Sequence, residues 1–259
     1  MSFQTVELTR EGAIATLALN RPDALNSLNA LMIRELGECL ASIRDDSSIR
    51  CLLVTGSGKA FAVGADIKEM SERGPETGRT MSEEGQRVFQ SLEDLPFATI
   101  AVVNGFALGG GLELALACDF IVASKKAKMG TPEVSLGLIC GYGGTQRLSR
   151  IVGRSRARLI TLTGDVYTAE QMEKWGVVAL TFEPVDLMEQ AKKIAQKIAE
   201  RSPRAIRFTK EAIRRGVELP QTEGLKLEAE LFGQVFRSDD KREGIAAFLE
   251  KRAPQFTGR

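Results

Sequence analysis

The order of apolar and polar residues lays out the first elements of the chain. Residues 4–9 and 13–19 alternate the two kinds on either side of Arg10-Glu11-Gly12, the period-two pattern of a β-hairpin. A polar loop follows at 20–27. Met32, Leu36, Cys39, Leu40 and Ile43 then recur at helical spacing, which predicts a helix over about 29–44. RCLLVT at 50–55 is short and apolar, as in a buried strand. Residues 61–70 read as a loop turning into a helix start, with Gly64 permitting the bend, and 71–79 as a mobile polar surface segment. A helix over 81–92 and strands over 99–103 and 119–123 continue a strand, loop, helix repetition. That repetition predicts a parallel sheet with right-handed helical crossovers. Beyond Gly164 the pattern turns helical: Leu187, Ala191, Ile194, Ala195 and Ile198 mark one helix, Ser202-Pro203 opens another through Val217, and 220–236 and 241–251 make two more. Their apolar stripes, with Leu225, Phe232, Phe236, Ile245, Phe248 and Leu249, are wide for surface helices and call for cover by the fold or by another subunit.

Two glycine-laced stretches interrupt this pattern, each holding one carboxylate. In NGFALGGGLELAL at 104–116, three glycines run into an apolar helix with Glu113 in its first turn. Free N–H groups at a helix start form an oxyanion site, with an acid or base one turn away. Tight packing of a glycine loop on a neighbouring strand explains the same letters, and the stretch alone leaves the two readings even. In the second stretch, 131–147, Pro132 fixes the backbone before Glu133, and Val134, Leu136, Leu138 and Ile139 are placed to desolvate it and raise its pKa. A lone Pro-Glu pair is more often an exposed loop. GSGK at 56–59 is not a phosphate loop, because Leu53 and Ala60 occupy positions that need glycine and Ser or Thr.

Composition narrows the chemistry. The 259 residues carry a net charge of +1, which gives no electrostatic case for nucleic acid or an anionic membrane. The N-terminal MSFQTVELT has no signal-peptide order and no apolar run reaches ~18 residues, so the expectation is a cytoplasmic protein. Cys39, Cys51, Cys118 and Cys140 stand singly in apolar surroundings, which fits small buried hydrophobes and not a disulfide or zinc framework. There is no histidine, which excludes Ser-His-Asp and Cys-His pairs and histidine acid–base chemistry.

Six segments taken together resemble the crotonase family of enoyl-CoA hydratases and isomerases: NRPDALNSLN at 20–29, KAFAVGADIKEM at 59–70, AVVNGFALGGGLELALACD at 101–119, PEVSLGLICGYGGTQRLSRIVG at 132–153, LTGDVYTAEQMEKWGVV at 162–178 and DDKREGIAAFLEKR at 239–252. They stand in family order over nearly the whole chain. The resemblance implies an α/β fold of stacked β-β-α units in a right-handed spiral, with the active site in a core domain at 1–195. A helical C-terminal region at 196–259 would build homotrimers, often paired into homohexamers. It implies acyl-CoA substrates, with coenzyme A part of the substrate and no separate cofactor or metal. By position, the N–H groups of Ala65 and Gly110 would form the oxyanion hole. Glu113 would activate the water adding at Cβ, and Glu133 would exchange the proton at Cα. Both glutamates favour a hydratase over an isomerase, which commonly keeps only the one at Glu133. A hydratase for an unusual acyl chain and a non-catalytic CoA- or RNA-binding subunit are the other readings. Ala24, Ala65, Asp66, Ile67, Lys68 and Gly110 match CoA-contacting positions, with Lys59, Lys68 and Lys251 as phosphate partners and Phe248 either over the nucleotide or in the core. Cys140 replaces a common family proline, which bears on the stiffness of its loop and the shape of the acyl pocket.

Overall fold

The computed structural model describes residues 3–259. Alternation becomes a hairpin: β1 (Val6–Glu11) and β2 (Ile14–Leu19) pair antiparallel around a two-residue turn, where Gly12 takes φ +59°. Helix α1 (Ala30–Ile43) is capped by Asn29, whose side chain accepts from Met32 N–H, and buries the predicted apolar stripe on its way to β3 (Cys51–Gly56), parallel to β2.

From β3 onward the chain winds in repeated turns. Each lays one strand in a long sheet, turns a corner, lays a short strand in a second sheet and returns through helix. β3 is followed by β4 (Ala60–Ala62), α2 (Ile67–Ser71) and α3 (Gly78–Glu93). Next come β5 (Ala98–Val103), β6 (Phe106–Leu108) and α4 (Gly110–Leu116). The third turn contributes β7 (Phe120–Ser124), β8 (Lys128–Gly130) and α5 (Gly144–Thr163), the last broken at Gly153. β9 (Val166–Thr168), α6 (Ala169–Lys174) and β10 (Leu180–Phe182) close the two sheets. Their orders are β1-β2-β3-β5-β7-β10 and β4-β6-β8-β9, antiparallel only at β1·β2 and β8·β9. This is the stacked β-β-α spiral. Its corners need glycine: a Cβ on Gly56 would stand 2.2 Å from the Ala60 carbonyl oxygen, and one on Gly105 2.0 Å from that of Lys59.

One core fills the space between the sheets and under α1, α3 and α4; the other lies on the outer face of the long sheet. β3 and β5 are buried along their whole length. At about 1.5–3 kcal/mol for each fully buried large apolar side chain, these two strands anchor the spiral. α7 (Leu187–Ala199) covers the outer face with Leu187, Ala191 and Ala195. All four cysteines are free and buried.

α8 (Pro203–Gly216), α9 (Gln221–Phe236) and α10 (Asp239–Glu250) follow. The buried Asp240 carboxylate accepts from Ser202 Oγ at 2.6 Å and from the N–H groups of Thr257 and Gly258, tying the C-terminal tail to the start of α8. Lys210 reaches back to the Phe97 carbonyl and Asp119. The expected segment boundaries shift in places: α3 begins at Gly78, a 3-10 turn occupies Pro75–Thr77, and β9 and β10 lie in the stretch read as wholly helical. The 195/196 division falls inside α7.

Candidate active site

Two backbone segments meet at the heart of the spiral. The turn after β4 is pinned by Leu28, whose N–H donates to the Gly64 carbonyl at 2.7 Å and whose carbonyl accepts from Asp66 N–H at 3.1 Å. Gly64 takes φ +97°, and a Cβ there would lie 3.2 Å from Leu108 O and 3.5 Å from Gly110 N. The turn therefore runs against the first residues of α4. Gly109 sits at φ +51°, donates its N–H to Gly130 O at 2.9 Å and accepts from Glu113 N–H. Among the described residues, the N–H groups of Ala65 and Gly110 have no acceptor. The first belongs to an irregular turn and the second to the first helical position, where the backbone leaves its donors unpaired.

Glu113 stands one helical turn further on, 1% exposed. Its Oε1 accepts from the N–H groups of Tyr142 at 2.8 Å and Gly144 at 2.6 Å, which leaves Oε2 as the outward oxygen. A Cβ on Gly144 would come 3.0 Å from that Oε1, so only glycine lets the backbone close in. Burial pushes the Glu113 carboxyl up to about 7, with the Glu133 charge adding to it, while the Gly144 and Tyr142 donors pull the other way. Glu133 lies on the 3-10 turn Pro132–Leu136 and points back at Gly109, where a Cβ would stand 3.0 Å from its Oε1. Both its oxygens are buried without a hydrogen-bond partner of good geometry, and the Cys140 thiol and its own backbone N–H offset only part of the cost of burial. Burial drives its pKa up as well. It is thus not the exposed loop residue that a lone Pro-Glu pair suggests.

Ala65, Gly110, Glu113 and Glu133 line one cavity of about 350 Å³. Val63, Met70, Met81 and Tyr142 form much of its apolar wall, and Leu136 and Ile139 are exposed along it. Cys140 also lines it. Its thiol is pushed up to about 12 by burial and by both glutamates, which makes it a packing group and not a nucleophile.

The other expected contacts are placed less centrally. Ile67 lines the cavity and is half exposed. The Asp66 carboxylate is taken up by Arg21, Ser27 and the Glu69 N–H, so it shapes the turn and caps α2. Ala24 lies in the 3-10 turn Pro22–Ala24, and Lys59 and Lys68 are exposed near the β4 turn and on α2. Lys251 follows α10 at φ +56°, and Phe248 on that helix is 82% exposed, outside the core. Sequence reasoning did not single out Met70, Tyr142 or Gly144. The Gly143-Gly144 pair after Tyr142 was the available signal, but its partner, Glu113, lies 31 residues away. Among the described residues, no group of three or more Cys, Asp or Glu side chains is arranged to hold a metal ion.

Two unpaired backbone donors beside two buried carboxylates with raised pKa values, one of them anchored by backbone N–H groups, are the kind of arrangement that acid–base chemistry next to a carbonyl oxygen requires. The family model for enoyl-CoA hydratase/isomerase matches residues 9–259. The chain is 42% identical to a short-chain-enoyl-CoA hydratase of Clostridium acetobutylicum, over 97% of each chain. It is 41% identical to a 2,3-dehydroadipyl-CoA hydratase of Escherichia coli, over 97% of this chain and 98% of the other. The crystal structure of an enoyl-CoA hydratase from Bacillus anthracis superposes with a TM-score of 0.96 at 37% identity, covering 99% of this chain and 100% of that one. The chain belongs to the enoyl-CoA hydratase/isomerase family.

Proposed function

We propose that this protein hydrates trans-2-enoyl-CoA thioesters reversibly to 3-hydroxyacyl-CoA. The observation that carries the reading is the meeting of both glutamates with the Ala65 and Gly110 N–H groups in one cavity. The thioester oxygen accepts from those two N–H groups. As water adds, charge flows onto that oxygen in an enolate-like species, and each donor of this kind is worth about 10²–10³ in rate. Glu113, its Oε1 anchored by Tyr142 and Gly144, takes a proton from the water whose oxygen bonds to Cβ. Glu133, buried without a hydrogen-bond partner of good geometry and so favouring its acid form, delivers a proton to Cα. Water is consumed whole, and the resting state returns when the proton on Glu113 is passed back to Glu133 directly or through solvent. No cofactor is called on beyond the CoA carried by the substrate.

Loss of the enoyl-thioester absorbance of crotonyl-CoA tests this directly; absence of turnover on short and medium enoyl-CoAs would remove the reading. Glu113→Gln separates hydratase from isomerase. Hydration is expected to drop about 10²–10⁴-fold, the usual worth of a general base, whereas a one-glutamate isomerase would keep its rate. The exposed faces of α8, α9 and α10 support a homotrimer or homohexamer, and four unpaired, buried cysteines fit a reducing cytoplasm. Among the described residues no helix is long and apolar enough to cross a membrane.

A further inference from the structure

Arginine gathers at one place that the proposed chemistry does not use. Between the loop after α1 and the start of α8 lies a pocket of about 400 Å³, lined by Arg44, Arg50, Arg204 and Arg207, with Phe97 and Phe208 in its walls. It stands at the far end of the long sheet from the two glutamates. Arg50 and Phe97 directly precede β3 and β5, whereas the Gly64 turn and α4 are reached from the other ends of those strands. A six-residue strand at about 3.3 Å per residue puts roughly 20 Å between this pocket and the active-site cavity.

Four like charges around one pocket repel, and the fold does little to neutralise them. Among the described residues none of the four pairs with a carboxylate. Arg50 has a 3.5 Å contact to the Phe256 carbonyl, and the Arg204 and Arg207 guanidiniums lie 5.6 and 5.8 Å from the centre of the Phe208 ring. Two acids share the lining: Asp46, taken up by Arg10 and Ser48, and the exposed Asp45. The Arg204 Nε is buried without a hydrogen-bond partner, an unmet donor that a bound acceptor would relieve. α8 itself supplies the contrast. Arg204, Arg207, Lys210 and Arg214 recur three or four residues apart along it; Asp119 holds Lys210 and Asp94 holds Arg214, while the two that line the pocket have no acid. Pro203, in the first turn of α8, also lines the pocket, and at that end the helix dipole favours an anion.

We infer that this pocket binds a small anion of the diphosphate class, free or carried by a nucleotide, at a site separate from the active-site cavity. A guanidinium donates in pairs to phosphate oxygens, and two linked phosphates can bridge arginines from opposite walls. The volume lies in the range of small-ligand sites, about 300–1,000 Å³. Such an anion would tie Arg44 and Arg50 of the spiral to Arg204 and Arg207 of α8, so its binding should stabilise the junction between the two.

Isothermal titration calorimetry of the purified protein with inorganic pyrophosphate, and separately with ADP, at about 0.1 M salt tests this. Expected is saturable binding with a Kd below about 1 mM and a melting temperature that rises with ligand concentration. Equal affinity for the two probes would show that the diphosphate alone is read, and at least about tenfold tighter binding of ADP would assign the site to a nucleotide. Arg204→Gln and Arg207→Gln are each expected to weaken binding at least about tenfold. Arg44→Gln does so from the other wall, should neither α8 variant fold as judged by circular dichroism. Lys68→Gln and Lys251→Gln, at the expected CoA phosphate partners, should leave the affinity unchanged. Failure of the parent protein to bind either probe would overturn the inference. So would binding weakened by the lysine variants and not by the arginine ones, which would place the anion at the active site instead.

Discussion

Glu113 anchors the Tyr142 and Gly144 N–H groups, yet its negative charge is held in the resting fold at a net cost. Its carboxyl titrates near 7 in the folded chain against 4.5 for an unperturbed glutamate, chiefly because burial disfavours the charged form. In the unfolded chain the group ionises first. Below about pH 4 both states are protonated and the penalty is absent; it grows as pH rises through 4.5 and is complete above 7. That gap corresponds to about 3 kcal/mol lost from folding at pH 8. Glu113→Gln should therefore match the parent protein in urea unfolding at pH 4 and exceed it by up to about 3 kcal/mol at pH 8, while losing hydration activity. Equal stability of the two proteins at pH 8 would mean that the carboxylate is not penalised. On the proposed mechanism the same titration gives the rate profile its acid limb: turnover should fall as pH drops through about 7, where Glu113 would take up the proton that disqualifies it as a base.

At the scale of elements, α4 is a short helix whose placement matters more than its own stability. It has no side-chain cap; Gly109, at φ +51° and ψ −126°, lets the helix start directly against β8 and the Gly64 turn. Gly111 presses on β4 so closely that a Cβ would lie 2.1 Å from the Ala62 carbonyl oxygen. Gly111→Ala must push α4 away from β4, carrying the Gly110 N–H and Glu113 with it. The expected result is a loss of about 1–3 kcal/mol or more together with a fall in kcat/KM; a variant with unchanged melting temperature and rate would show that α4 has slack. The longer elements were legible because their patterns identify them: the hairpin, α1 and α7 follow their apolar spacing, and β3 and β5 are unbroken apolar runs buried on both faces. The second sheet was not, since three-residue strands such as β4 and β6 are too short to show alternation. α5 escaped because Gly153 and a run of arginines and serines break its stripe. The glycine stretch around Gly110 and the glutamate within it were legible as candidate chemistry, with the roles supplied by family resemblance. The burial of Glu133 was legible only as one of two readings, and its source was hidden: Leu136, Leu138 and Ile139, expected to desolvate it, lie exposed, while Gly109 approaches it from 24 positions earlier in the chain.

For the whole molecule, the spiral encloses its core and the C-terminal helices do not. α8 buries no side chain and α9 only Leu231, and α10 buries Asp240 and Ala247. Phe232 is 66% exposed, Phe248 82% and Leu249 74%, with Phe236, Ile245 and, on α5, Leu162 also open. A lone apolar residue at a surface means little, but several on contiguous helices are what an interface between subunits would leave open on a single chain. The anchoring contacts point the same way: Ile206 packs on the outer core, while Lys210 to Phe97 and Asp119, Arg214 to Asp94 and Arg150 to Glu218 fix the helical unit to the spiral through charge, so most of its apolar surface stays open. We therefore expect light scattering coupled to size exclusion to give three or six times the 28.2 kDa of the chain. Phe232→Glu, which places charge at the more exposed of two neighbouring, mutually tilted α9 rings, should shift the protein toward monomer and lower its melting temperature in a concentration-dependent way. A parent protein that elutes as a monomer at micromolar concentration would defeat this assembly. The exposed helices would then need another partner, and the active site would have to work within the single spiral that already holds all four of its central groups.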